Sequence, residues 1–199
     1  MAEGIRPDKI GTVLPFYKNY SLCKPTYSRK ILFWGSMGRI ENHQACLWFI
    51  EYVLRNLIRT NPDIVFVIAG NNPRPELISL QSDNIHVTGM VRNPGPIFED
   101  ALCFVAPLTL GGGIKIKILE ILSSGLPVLT NSIGIEGIDA VPNKDYLHCE
   151  TPTDYEQTIL LLLEDPQLAK TVGLNGRRFL NAWFSPAQEY MRLREYLLA

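Results

Sequence analysis

Residues 101–130, ALCFVAPLTLGGGIKIKILEILSSGLPVLT, decide the fold. They open on an unbroken apolar run, 101–107, of the kind found in strands buried on both faces. A glycine triplet follows at Gly111, Gly112 and Gly113. Residues 114–124 then read as a helix, which Gly125 ends as a C-cap just ahead of a second strand, 127–130. Strand, glycine turn, helix, strand is the repeating unit of a parallel α/β sheet.

The same alternation extends in both directions. Upstream, apolar runs rich in β-branched and aromatic residues occur at 30–35 (KILFWG), 63–70 (DIVFVIAG) and 84–89 (NIHVTG); a weaker one lies downstream at 145–149. Each is continuous rather than alternating, which predicts burial on both faces. Between the first two runs, Cys46, Leu47, Ile50, Val53, Leu54, Leu57 and Ile58 follow helical spacing, with Asn42 as the expected N-cap and Asn61-Pro62 as the stop. Further helices are expected over 152–164, 167–184 and 186–198. The fold class is therefore α/β: a Rossmann-like, doubly wound parallel sheet of about six strands. Residues 29–199 form that domain. Residues 1–28 fit the pattern poorly and read as an entry segment or linker, with one possible strand at 11–15.

Bulk properties bound the function. The chain has 199 residues, 46% apolar and 20% charged, with a net charge of −1, a pI near 6.3 and a mean hydropathy of +0.04. This is an ordinary globular composition, and it offers no basic stripe for nucleic acid or an anionic membrane surface. Cys23, Cys46, Cys103 and Cys149 are far apart and form no C-x-x-C pair, so they read as buried free thiols in a reducing compartment. The first ten residues lack the apolar core of a signal peptide, and no apolar run approaches the length of a membrane span. A cytoplasmic protein is expected, with any attachment at the inner membrane made through a further domain or a partner.

Ligands of open parallel sheets bind beyond the carboxyl ends of the strands. The turns there are Gly35–Arg39, 70–74, 89–92, 108–115 and 131–138, and they concentrate glycines and basic residues. Within Leu110 to Glu120, the glycines let backbone approach a bulky anion, and the helix N-terminus directs unpaired N–H groups at it. Lys115 or Lys117 can add a charge-assisted bond to a phosphate. Glu120, one and a half turns further on, suits ribose hydroxyls, which donate to a carboxylate. A tight turn with two solvated lysines is the plainer alternative for the glycines and lysines. Glu120, set among Ile118, Leu119, Ile121 and Leu122, requires a partner on either reading.

Other nucleotide folds are disfavoured. There is no G-x-x-x-x-G-K-[ST], so a P-loop is excluded, and no G-x-G-x-x-G follows the first strand. The second strand runs into Ala69-Gly70-Asn71-Asn72, with no acid for an adenosine ribose, which argues against a nicotinamide dehydrogenase. No D-x-D and no histidine cluster suggests a metal. His43, His86 and His148 read as structural, and Trp34, Trp48 and Trp183 as packing residues.

The succession GSMGR, IAG, HVTG, VAP, GGGIKIKILE, SSGLPVLT and SIGIEGI resembles the C-terminal, donor-binding domain of GT-B-type retaining glycosyltransferases of family 4, over roughly residue 29 to the C-terminus. The resemblance implies transfer of a sugar from a nucleotide diphosphate-sugar to an acceptor hydroxyl. It places Glu120 on the second of the family's paired glutamates, the ribose ligand, and Gly112 where the first stands. It implies that Arg39 and Lys115 stabilise the departing diphosphate. The backbone of Gly112, Gly113, Ile114 and Lys115 would cradle it, beside Gly35. Met90 and Val91 would face the base, and Glu136 would lie at the crevice mouth. No cofactor beyond the donor itself is implied, and UDP is expected from its frequency in the family. The acceptor-binding domain is expected to lie outside this chain, which would then be inactive alone as a hexosyltransferase. The alternatives are a donor-binding subunit or a non-catalytic nucleotide-binding module acting with a partner protein.

Overall fold

The structure is a computed structural model, and it describes residues 13–184 and 186–198. Six strands, β1 (Lys30–Trp34), β2 (Val65–Ala69), β3 (Ile85–Gly89), β4 (Cys103–Ala106), β5 (Val128–Thr130) and β6 (Leu147–His148), form one sheet. Every pairing is parallel, in the order β3-β2-β1-β4-β5-β6. The chain moves outward from β1 to β3, then returns to lay β4 on the other side of β1. This reversal opens a crevice beyond the carboxyl ends of β1 and β4.

The strands fall on the expected runs, and β1, β2, β4 and β5 are largely or wholly buried. β3 differs from expectation. As the edge strand it exposes His86 and Thr88, so its run is apolar on one face only.

Nine helices are described: α1 (Ile40–Phe49), α2 (Arg55–Thr60), α3 (Pro75–Ser79), α4 (Gly95–Glu99), α5 (Ile116–Ser124), α6 (Ser132–Ile135), α7 (Pro152–Glu164), α8 (Pro166–Trp183) and α9 (Pro186–Leu198). A π-helical turn, Ile50–Leu54, joins α1 to α2. The apolar stripe predicted for this segment is inward throughout, with Cys46, Ile50, Val53, Leu54 and Leu57 buried. Its start is corrected, however. Arg39, not Asn42, is the N-cap residue, with extended backbone and no side-chain cap. Asn42 is already in the first helical turn and turns its amide elsewhere.

Two helical groups cover the sheet. α7 packs on the π turn, and its Tyr155 meets Phe49 and Trp48 at the end of α1. On the other side, α5 lies between α4 and α8. The close α5–α8 approach needs glycine: a Cβ on Gly173 would stand 1.9 Å from the carbonyl oxygen of Gly125. Gly125 itself ends α5 with a φ of 75°, as expected of a C-cap.

The described part of the entry segment, from residue 13, lies against the domain. The Tyr20 N–H donates to Ser123 Oγ at 2.9 Å, Thr26 N–H to the Glu99 carbonyl at 2.8 Å, and Leu14 N–H to the buried Glu189 carboxylate at 2.8 Å. The ring of Tyr17 sits 4.9 Å from that of Phe184. Of the strand expected over 11–15, Gly11 and Thr12 lie outside the described residues, and Val13–Pro15 form no strand.

Candidate functional site

A cleft of about 480 Å³ opens at the switch between β1 and β4. This is within the range of small-molecule sites. Four turns build it. Trp34 ends β1, and Gly35, Ser36 and Arg39 follow it. Gly70 and Asn71 follow β2, Met90 and Val91 follow β3, and residues 108, 110–112 and 114–117 follow β4.

Close backbone contact seats the first two turns. A Cβ at Gly70 would lie 1.6 Å from the Gly35 carbonyl oxygen, so only glycine permits the approach. Gly35 N–H donates to Ala69 at 3.1 Å, and Met37 N–H to Asn71 at 2.8 Å.

The third wall is the start of α5. This helix begins at Ile116, two residues later than its sequence pattern indicates, with extended Lys115 at the N-cap position and no side-chain cap. Gly111, Gly112 and Gly113 form an exposed loop ahead of it. At Gly112 a Cβ would meet nothing within 4 Å, so the cleft is open there. An uncapped helix N-terminus facing a cleft favours an anion.

Gly35, Arg39, Met90, Val91, Gly112, Ile114, Lys115 and Glu120 all line this one cleft. Gly113 and Glu136 are not among its lining residues. They stand beside it: Glu136 accepts from Lys115 Nζ at 2.9 Å, and the Gly113 N–H also bonds it. Those bonds, the Lys115 bond first, hold the exposed Glu136 carboxyl below the ordinary range. Arg39 is bound too, its Nε 2.5 Å from Glu41 Oε1.

Three lining residues, Trp34, Asn42 and the Glu41 that pairs with Arg39, escape the sequence reading, and a fourth has a setting other than the one expected. Trp34 Nε1 donates to Glu120 Oε2 at 2.9 Å, while its ring meets Phe98 edge-on at 5.6 Å. Asn42 donates to the Ser36 carbonyl at 2.8 Å and accepts from Lys117 Nζ. Lys117 is not a solvated lysine. Its ammonium lies 4.6 Å from the ring centre of buried Phe33, and burial is the main influence pulling its pKa down to about 8. Position relative to the strand ends could have flagged Trp34, which is the last residue of β1. Nothing local marks Asn42.

The remaining residues of interest lie elsewhere. His43 is buried, with Nε2 2.9 Å from Glu76; His148 bonds Tyr146 and Glu150. Trp183 donates to Asp139 at 3.1 Å. All four cysteines are free and buried. Among the described residues, no group of three or more His, Cys, Asp or Glu is placed to hold a metal ion. No helix among them is long and apolar enough to cross a membrane.

Comparison with known proteins bears on this cleft. The profile of the family described as Glycosyl transferases group 1 matches residues 28–165, a span that contains every residue lining the cleft. The chain belongs to this family.

As a group 1 glycosyltransferase it has a curated relative, an uncharacterized 44.6 kDa protein in the cps region of Klebsiella pneumoniae. The two are 28% identical over 143 residues, which cover 66% of this chain and 35% of that protein. The chain thus spans about a third of the relative's length. Among solved structures, a point mutant of S. aureus TarM, in complex with fondaparinux, alpha-GlcNAc-glycerol and UDP, superposes with a TM-score of 0.80 at 17% identity. It matches 95% of this chain and 39% of that one. Anabaena Alr3699/HepE, in complex with UDP and glucose, gives 0.71 at 11% identity, over 87% of this chain and 49% of that one. The C-terminal domain of a group 1 family glycosyltransferase, LpcC, from Francisella tularensis gives 0.62 at 16% identity, over 81% and 87%. The fold is accordingly one Rossmann-like half of the GT-B architecture.

Proposed function

We propose that this group 1 glycosyltransferase domain binds a nucleotide diphosphate-sugar in the cleft between β1 and β4 and acts as the donor half of a retaining hexosyltransferase. The observation that carries the reading is the convergence on one cleft of three things: an uncapped helix N-terminus, the open glycine loop before it, and the Glu120 carboxylate one turn in. The first two suit a diphosphate; the third suits ribose hydroxyls. Gly112, Gly113, Ile114 and Lys115 contribute backbone to the phosphates, with Gly35 opposite. Met90 and Val91 flank the base, and Glu136 stands at the sugar end.

UDP is the proposed nucleotide. Relatives of this fold that carry UDP, TarM and Alr3699/HepE, support it. Stabilisation of the leaving diphosphate is electrostatic on this account, with Arg39 and Lys115 near its path and no cofactor beyond the donor. The acceptor-binding half lies outside residues 1–199; the reaction is cytoplasmic, with any attachment at the inner membrane made through that half or through a partner. The chain alone binds donor and transfers nothing.

Isothermal titration of UDP, GDP and ADP into the 199-residue chain tests the reading. Saturable binding of one nucleotide in preference to the others is expected. Absence of binding by all three removes the donor site.

A further inference from the structure

Three cations border the cleft, and their surroundings differ. Arg39 is 70% exposed in its side chain and paired with Glu41. Lys115 is paired with Glu136. Lys117 has no carboxylate within ion-pair distance among the described residues. Its polar partner is the neutral Asn42, and the face of Phe33 lies beneath it.

Lys117 is also badly placed for the helix that carries it. It occupies the first turn of α5, where the macrodipole presents positive potential and a cation is repelled. Burial of an ammonium without a counter-ion adds to that cost. Asn42 cannot neutralise it. Asn42 is itself held by the Ser36 carbonyl, and this fixes its oxygen toward Lys117. The arrangement holds the ammonium at the cleft wall with no carboxylate in contact with it among the described residues, Glu41 acting on it only from beyond ion-pair distance. A dianionic ligand between the α5 N-terminus and the β1 turn would supply the missing charge.

We infer that Lys117, beside Arg39 and Lys115 in the proposed site, is the buried cation whose charge the donor's diphosphate balances. This rests on the proposed donor site and names the cation within it. The charged groups acting on Lys117 are Glu41 from α1, which favours its charged form, and Arg39 and Lys115, which oppose it; the Cys46 thiol beside it is kept neutral by burial, and Glu120 lines the same cleft. A bound diphosphate adds two or more negative charges to this set and draws a proton onto the amine. Donor binding is therefore coupled to proton uptake above pH 8, a window in which the nucleotide's own phosphates are already fully ionised.

The test is UDP titration of the full chain from pH 7 to 9.5, in two buffers of different ionisation enthalpy, with Lys117→Met and Lys115→Met alongside. The wild type should take up protons on binding, and its affinity should fall toward about tenfold per pH unit above pH 8. Lys117→Met should bind roughly ten- to a hundredfold more weakly at pH 7 and show no such slope. Lys115→Met should keep the slope. A thermal melt establishes that each variant is folded, and the wild-type profile stands without any variant. Binding that is strong but flat in pH, or a loss confined to Lys115→Met, overturns the role of Lys117 and leaves the donor site intact. No UDP binding at any pH overturns the donor site itself.

Discussion

Trp34 Nε1 donates to Glu120 Oε2 at 2.9 Å, joining the last residue of β1 to the middle of α5 across the floor of the cleft. One carboxylate oxygen is thereby fixed, and the other is left for a ligand. The indole body packs on Phe98, so the orientation of Glu120 is set by a residue that is itself held. Trp34 acts through Glu120 as a positioning residue.

Trp34→Phe keeps an aromatic ring beside Phe98 but removes the donor and part of the indole's volume. Loss of about 1 kcal/mol in unfolding free energy is expected for the hydrogen bond, with a further loss for the indole volume removed. The preference for UDP over 2′-deoxy-UDP should narrow, because an unanchored Glu120 discriminates the ribose less well. Parallel titrations of the two nucleotides measure it. An unchanged ratio would mean that Glu120 orients itself without the indole.

Two of the glycines that line the cleft should respond in opposite ways. Gly112→Ala adds a Cβ into open space, so the unfolding free energy should stay within about 0.5 kcal/mol of wild type while UDP affinity falls as the cradle narrows. Gly70→Ala drives a Cβ into the Gly35 carbonyl at a φ of 147°, and a loss of several kcal/mol, on the order of a severe core defect, is expected. Urea unfolding of both variants distinguishes them.

Lys117 gives stability a pH dependence whose sign follows from its lowered pKa. In the folded chain it releases its proton near pH 8, below the ordinary value of 10.5. Between those values the unfolded state binds more protons, so stability rises with pH. The burial cost is fully present below about pH 8 and is relieved toward 10.5; by linkage it is at most about 3 kcal/mol. Cys46 and Cys103, whose pKa values are raised by burial, act oppositely from about pH 9 upward. The difference between wild type and Lys117→Met isolates the lysine. Lys117→Met should be the more stable at pH 7, and its advantage should shrink by pH 9.5. A constant difference in urea unfolding would contradict this.

The fold was legible because burial on both faces writes itself as unbroken apolar runs, and five such runs gave β1 to β5. β3 shows the limit of that signal: an edge strand reads NIHVTG much as a central one would. α3, α4 and α6 span five residues or fewer, too short for a helical period to register. At the site, Glu120 stood out as a carboxylate in an apolar stretch. Asn42 resembled an N-cap by type and position, but the helix begins at Ile40 on a residue with no capping side chain. The roles of Asn42, Trp34 and Lys117 arise from pairings across 75 to 86 residues of sequence, which no local pattern carries.

The most direct measurement of the donor-site account is the affinity of wild type and Glu120→Ala for UDP, with inorganic pyrophosphate titrated into both for comparison. Glu120→Ala should weaken UDP roughly tenfold or more, as for loss of hydrogen bonds to a charged group, and leave pyrophosphate binding unchanged. Equal UDP affinity in the two proteins would contradict it.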